Sequence, residues 1–210
     1  MEKKMTITYV IGNKLYMNIT NKCPCNCTFC IRNHSDGAYG SDSLWLEHEP
    51  SAEEIADAVS KHKLSDYEEI IFCGYGEPTS RLDILIETAK NMKTQENCPP
   101  VRLNTNGLSD LVNNKSTAEI IANTFDIVSI SLNAGTKEEY MRVTRPKFDN
   151  AFEAMQKFAS DCVKQSSATV IMTVVDVIPQ EEINEAEKVC LGTGAEFRVR
   201  KYDSLCKWKI

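Results

Sequence analysis

Strand-like and helix-like segments alternate along the whole of this chain, and that alternation limits the possible folds more than any other feature. "KLYMNIT" (14–20) switches between apolar and polar residues, as a strand with two unlike faces does. "SAEEIADAVSKHK" (51–63) follows Pro50 and carries Glu54 three positions after Ser51, the capping-box signature of a helix start. "EEIIFCG" (68–74) is a short apolar run ending in glycine and reads as a buried parallel strand. Helical spacing over 81–93 is followed by the strand "VRLNT" (101–105) and a helical piece within 110–123. Then come the strand "DIVSISLN" (126–133), a helix over 150–164 and the strand "ATVIMTVVD" (168–176). A helix over 181–192 and the strand "AEFRVRKY" (195–202) complete the pattern. Six β units joined by helices predict an α/β fold with a parallel sheet, either doubly wound or a curved partial barrel. The 210 residues suit a single domain spanning 1–210.

The unusual sequences fall just after the strands. The cysteine-rich loop follows the first, "GYGEPT" the second, "NTNG" the third and "NAGT" the fourth, and "RKY" ends the sixth. In parallel α/β architectures the C-terminal ends of the strands share one side of the sheet, where ligands bind. These segments therefore belong to one site.

Composition narrows the setting. Apolar residues (42%) and charged residues (26%) stand at ordinary globular levels. A net charge of −6 gives no global attraction to phosphate, so a nucleic-acid substrate would need a local basic patch. No apolar run approaches the roughly 20 residues that span a bilayer. The start, "MEKKMTITYVIGNK", has only a short β-like apolar stretch in place of a secretory core. A cytoplasmic protein without a membrane partner is expected. Nine cysteines then fit reduced thiols or metal ligands better than disulfides. Five of them, Cys73, Cys98, Cys162, Cys190 and Cys206, are scattered.

The other four lie in "NITNKCPCNCTFCIRN" (18–33) as Cys23, Cys25, Cys27 and Cys30. Four ligands, CxCxCxxC, would make a closed zinc or electron-transfer site; three, Cys23-x3-Cys27-x2-Cys30, would leave a metal position open. Thiolates are soft, charged donors suited to iron. Spacing alone leaves both readings open.

CxxxCxxC with the aromatic Phe29 before the last cysteine resembles the radical S-adenosylmethionine (SAM) superfamily. The resemblance extends over essentially the whole chain, because the later motifs follow in order. It implies a partial (β/α)6 TIM-like barrel with parallel strands and helices outside. It also implies a [4Fe–4S] cluster held by Cys23, Cys27 and Cys30, whose open iron binds the amino and carboxylate groups of SAM. With "GYGEP" and "NTNG" downstream, which a closed site would not account for, the resemblance makes Cys25 a bystander pointing out of the loop. Reductive cleavage would give a 5′-deoxyadenosyl radical that abstracts hydrogen from substrate, fed by an electron donor such as flavodoxin or ferredoxin.

The same resemblance implies the SAM contacts. Gly74, Gly76, Glu77 and Pro78 match a GxGEP variant of the family's GGEP segment, with Tyr75 in place of a glycine, and would bind the SAM amino group. Asn104 and Asn106 lie in a TNG-like element, where they face ligand or form a turn. Phe29 joins the cofactor contacts, Ser131 or Asn133 would meet ribose or carboxylate, and Val175 or Val177 would meet adenine. Arg142 and Arg145 could reach the same side of the sheet. Arg198 and Arg200 alternate on one side of the last strand. Facing the interior they would need a carboxylate or phosphate of SAM or substrate; facing solvent they are ordinary surface residues. His34, His48 and His62 have no ligand spacing.

Only eight residues follow Tyr202, which leaves no room for an appended domain and implies an open mouth suited to a protein or other macromolecular substrate. The segments quoted most resemble short stand-alone radical SAM proteins associated with TatD-family hydrolases. A glycyl-radical-enzyme activase is the enzymatic alternative. A relative of the GxGEP-bearing RNA methyltransferases fits less well, since the chain is short, acidic and without a further cysteine pair. From another class stands a zinc-binding or iron–sulfur electron-carrier domain with no SAM chemistry.

Overall fold

The computed structural model describes residues 3–165 and 167–202. Cys206 and the segment from Asp203 onward, on which the expected open mouth drew, lie outside them. One seven-stranded sheet runs in the order β1 (Thr8–Ile11), β2 (Lys14–Met17), β3 (Glu69–Phe72), β4 (Val101–Thr105), β5 (Ile127–Ser131), β6 (Thr169–Val175) and β7 (Glu196–Arg200). All neighbours from β2 to β7 are parallel. Their order never reverses, so the sheet has no topological switch point, and the doubly wound alternative is excluded. Among the described residues β1 and β7 remain edges, and the barrel is partial.

The first strand is additional to the six expected. It pairs antiparallel with β2, and the register Ile11↔Lys14 leaves Gly12 and Asn13 as a two-residue turn. Gly12 has φ +58°, which a tight hairpin turn of this length needs and glycine supplies.

Helices α1 (Ala52–Ser60), α2 (Leu82–Lys93), α3 (Ser109–Asn113), α4 (Ala118–Thr124), α5 (Lys137–Thr144), α6 (Ala151–Gln165) and α7 (Gln180–Thr193) follow in turn. Ser51 and Glu54 form the expected capping box. The helical piece within 110–123 is two helices, because Asn114 takes a left-handed conformation at φ +52°. Among the described residues no helix is long and apolar enough to cross a membrane.

Alternation along the strands gives the sheet two chemistries. Leu15, Met17, Ile70, Phe72, Val101, Leu103, Val128, Ile130, Met172 and Val174 are buried in the main core under the helices. The intervening residues line the concave face. By register these form cross-strand rows such as Asn104–Ser129–Ile171 and Ser131–Thr173–Arg198. At the N-terminal ends of the strands, Glu69 is held between Lys14 (2.7 Å) and Arg102 (3.5 Å), and Arg102 Nε donates to Asn104 Oδ1 at 2.9 Å. This network is the floor of the barrel; the opposite rim carries the motifs.

Candidate active site

The cysteine loop leaves β2 and is fixed from two sides. On one, the amide of Glu77 donates to the carbonyl of Lys22 at 2.7 Å. This approach requires Gly76, since a Cβ there would lie 2.4 Å from the Thr20 carbonyl oxygen and 2.7 Å from that of Lys22. Gly74 is required similarly: a Cβ would lie 2.1 Å from Oδ1 of the buried Asn18. On the other side, Thr28 N donates to Val143 O (2.8 Å), and Asn26 N to Thr144 O (3.0 Å) and Arg145 O (3.2 Å). A helix leaves its last carbonyls without intrahelical partners, and here the cysteine loop supplies donors for those of α5. The loop returns the bond, Lys147 N donating to Pro24 O at 2.9 Å.

Cys23, Cys27 and Cys30 are half-buried. Cys25 is 5% exposed and packs into the core, contrary to its expected outward direction. Its thiol hydrogen-bonds to Cys23 and Cys27, which holds both of those below the ordinary thiol value and drives Cys25 far above it. Cys30 is pushed up by burial. Arg32 Nη2 donates to Cys25 O at 3.1 Å, and its charge favours the thiolates of Cys23, Cys27 and Cys30. Three half-buried soft donors beside a guanidinium fit an anionic iron–sulfur group. Among the described residues no group of three or more His, Cys, Asp or Glu is arranged to hold a single metal ion.

Glu77 is 4% exposed and surrounded by donors. Its Oε1 accepts from Thr79 N (3.2 Å), Thr79 Oγ1 (2.8 Å) and Thr105 Oγ1 (2.7 Å), and Oε2 from Asn106 N (2.7 Å). Burial raises its pKa against these bonds. A free lone pair on Oε2 is the acceptor left over. Pro78 begins the 3₁₀ turn Pro78–Arg81 that Glu77 caps. Tyr75 is buried, and its hydroxyl donates to Ser35 O (2.5 Å) and Gly37 O (3.2 Å), while Trp45 meets its ring edge-on at 5.2 Å. The residue that departs from GGEP thus ties the segment after Cys30 to the glycine turn. A cleft of about 730 Å³ opens along that segment, lined by Arg32, Asn33, His34, Ser35, Asp36 and Trp45.

The other expected residues are distributed as follows. Phe29 packs half-buried against the core. Asn104 faces the concave side beside Cys73, whose thiol is raised by burial. Asn106 turns its amide to the cysteine sulfurs, and the positive φ of the "NTNG" turn (+76°) belongs to Gly107. Ser131 ends β5 and Asn133 lies two residues beyond it, 6% exposed at φ +63°. Val175 is buried on the concave side, whereas Val177 is exposed. Arg198 and Arg200 face the concave side, opposite the core-packed Phe197, and remain exposed. Arg142 pairs instead with Glu139 (2.5 Å), and Arg145 is the left-handed cap of α5. His62 bonds Tyr67 and Thr8, and His48 pairs with Glu54.

A model of the radical SAM superfamily matches residues 17–190, from the end of β2 into α7. No curated protein matches the sequence. Among solved structures, a radical SAM methyltransferase from Sphaerobacter thermophilus is similar with a TM-score of 0.61 and 12% identity, over 95% of this chain and 70% of that one. At that identity the likeness is one of fold. With the matched span holding the cysteine loop and the three strand-end segments "GYGEPT", "NTNG" and "NAGT" that follow it, the chain belongs to the radical SAM superfamily.

Proposed function

We propose that the protein is an enzyme that cleaves S-adenosylmethionine at a [4Fe–4S] cluster held by Cys23, Cys27 and Cys30, and abstracts hydrogen from a protein or other macromolecular substrate. The observation that carries this reading is the joint between the cysteine loop and "GYGEP", where Glu77 N meets Lys22 O and only glycine fits at position 76. The joint sets the three thiols beside a segment with an acceptor to spare for an ammonium group. When bound, the cluster supplies the electron that breaks a C–S bond of the sulfonium.

The protein's own groups bind and orient. Gly74, Gly76, Glu77 and Pro78 take the amino group, and Ser131 and Asn133 the ribose or carboxylate. Val175 covers adenine, Phe29 and Asn104 add further cofactor contacts, and Arg198 holds a carboxylate. A flavodoxin or ferredoxin serves as reductant, in the cytoplasm where thiols stay reduced.

Anaerobic reconstitution with iron and sulfide, followed by reductant and SAM, tests this by mass spectrometry of 5′-deoxyadenosine. Formation in the wild type and loss in Cys23→Ala, Cys27→Ala and Cys30→Ala are expected. A loaded wild type that neither binds nor cleaves SAM overturns the proposal. The inward thiol of Cys25 favours one second reading, a closed four-cysteine electron carrier. Cys25→Ala that keeps both cluster and cleavage eliminates it; Cys25→Ala that loses the cluster supports it.

A further inference from the structure

Asn106 Nδ2 lies 3.7 Å from Cys25 Sγ and 4.0 Å from Cys23 Sγ. These are long contacts, but the direction of the amide is forced. Its Oδ1 accepts from Leu108 N at 2.9 Å, so the donor end of the side chain must face the sulfurs. Its backbone N–H is held by Glu77 Oε2 at 2.7 Å. The next residue, Gly107, is locked at φ +76°, where a Cβ would lie 2.8 Å from Met155 Cγ and 2.9 Å from Ile130 Cγ2. The turn has no room to move the amide away.

We infer that Asn106 is a positioning residue whose amide, directed at Cys23 Sγ, raises the reduction potential of the cluster. The inference rests on the cluster reading given above. A donor on a ligand sulfur withdraws charge from the iron–sulfur bond and favours the more negative, reduced state. Glu77 then has two functions: it presents an acceptor to SAM and, through the Asn106 backbone, aims the amide at the sulfurs.

The test uses the full chain, reconstituted anaerobically, with the midpoint potential read from an EPR-monitored redox titration without SAM. Asn106→Leu keeps similar bulk and removes the donor; Asn106→Asp keeps the shape and sets a negative acceptor toward the sulfurs. Both are expected to take up iron as the wild type does and to titrate at a more negative potential, Asp more so than Leu. A fixed dithionite concentration should then reduce a smaller share of the cluster in each. Midpoints equal to the wild type in the loaded variants overturn the inference. So does failure of both variants to load while the wild type loads, because Asn106 would then be structural. A wild type that assembles no four-iron cluster defeats the cluster reading itself, an outcome visible in the iron count before any titration.

Discussion

Glu77 faces four donor contacts and, among the described residues, no acceptor. Glutamine there would turn an NH₂ group toward the amide of Asn106 or the Thr105 hydroxyl, leaving a buried donor unpaired. Glu77→Gln should cost about 1–3 kcal/mol in urea unfolding at neutral pH. The pH dependence has a definite sign. Burial raises the folded pKa of Glu77 above its ordinary 4.5, so its contribution is complete below that value and declines as pH rises through the folded pKa. The stability difference between wild type and Glu77→Gln should therefore narrow as pH rises from about 4.5, which urea midpoints across that range would show. A difference that widens with pH would contradict the assigned shift. The three spaced cysteines and the glycines of "GYGEP" are legible in the sequence because their spacing and lack of a side chain are themselves the chemistry. The inward turn of Cys25 and the position of Arg32 are not. Both depend on how the loop backbone meets α5, through contacts such as Thr28 to Val143, 115 residues away.

Among the elements, α5 stands where the sequence predicts no helix, between the strand over 126–133 and the helix over 150–164. Its eight residues, "KEEYMRVT", are mostly polar outside, and only Tyr140, Val143 and Thr144 are buried. A start signal was nevertheless present: Thr136 stands three positions before Glu139, and its side chain accepts from Glu139 N. The hairpin strand β1 was similarly signalled by Gly12-Asn13 between two apolar runs. The six parallel strands were readable because each is a short apolar or alternating run bounded by turn residues. Thr136 also donates to Glu182 Oε1 at 2.8 Å, which ties the start of α5 to α7. Thr136→Ala should destabilise the protein by about 1 kcal/mol. Because the far end of α5 receives the cysteine loop, the amides of Asn26 and Thr28 should exchange with deuterium faster in the variant. Unchanged exchange at those two amides would show that α5 does not anchor the loop.

Across the whole molecule, the concave face has a paired floor and an unpaired rim, and the two ends respond differently to losing an arginine. On the floor, Arg102 and Lys14 share Glu69, a carboxylate with little access to water. Arg102→Leu leaves that carboxylate with Lys14 alone and should lower stability by up to about 3 kcal/mol, with SAM binding changed only as far as folding is. On the rim, Arg198 and Arg200 are exposed on an edge strand, and no hydrogen bond or ion pair engages either side chain among the described residues. Removing exposed charges of this kind leaves stability nearly unchanged. The double variant Arg198→Ala/Arg200→Ala should therefore melt with the wild type, yet bind SAM more weakly, and the difference should shrink as salt screens the wild-type interaction. Calorimetric titration of SAM into the reconstituted protein at low and high salt measures it. Equal affinity at both salt concentrations would mean that the pair only guards the edge of the sheet, as charged residues on edge strands commonly do. A loss confined to low salt would place an anionic group of the ligand at the rim, on the side of the barrel opposite the floor network.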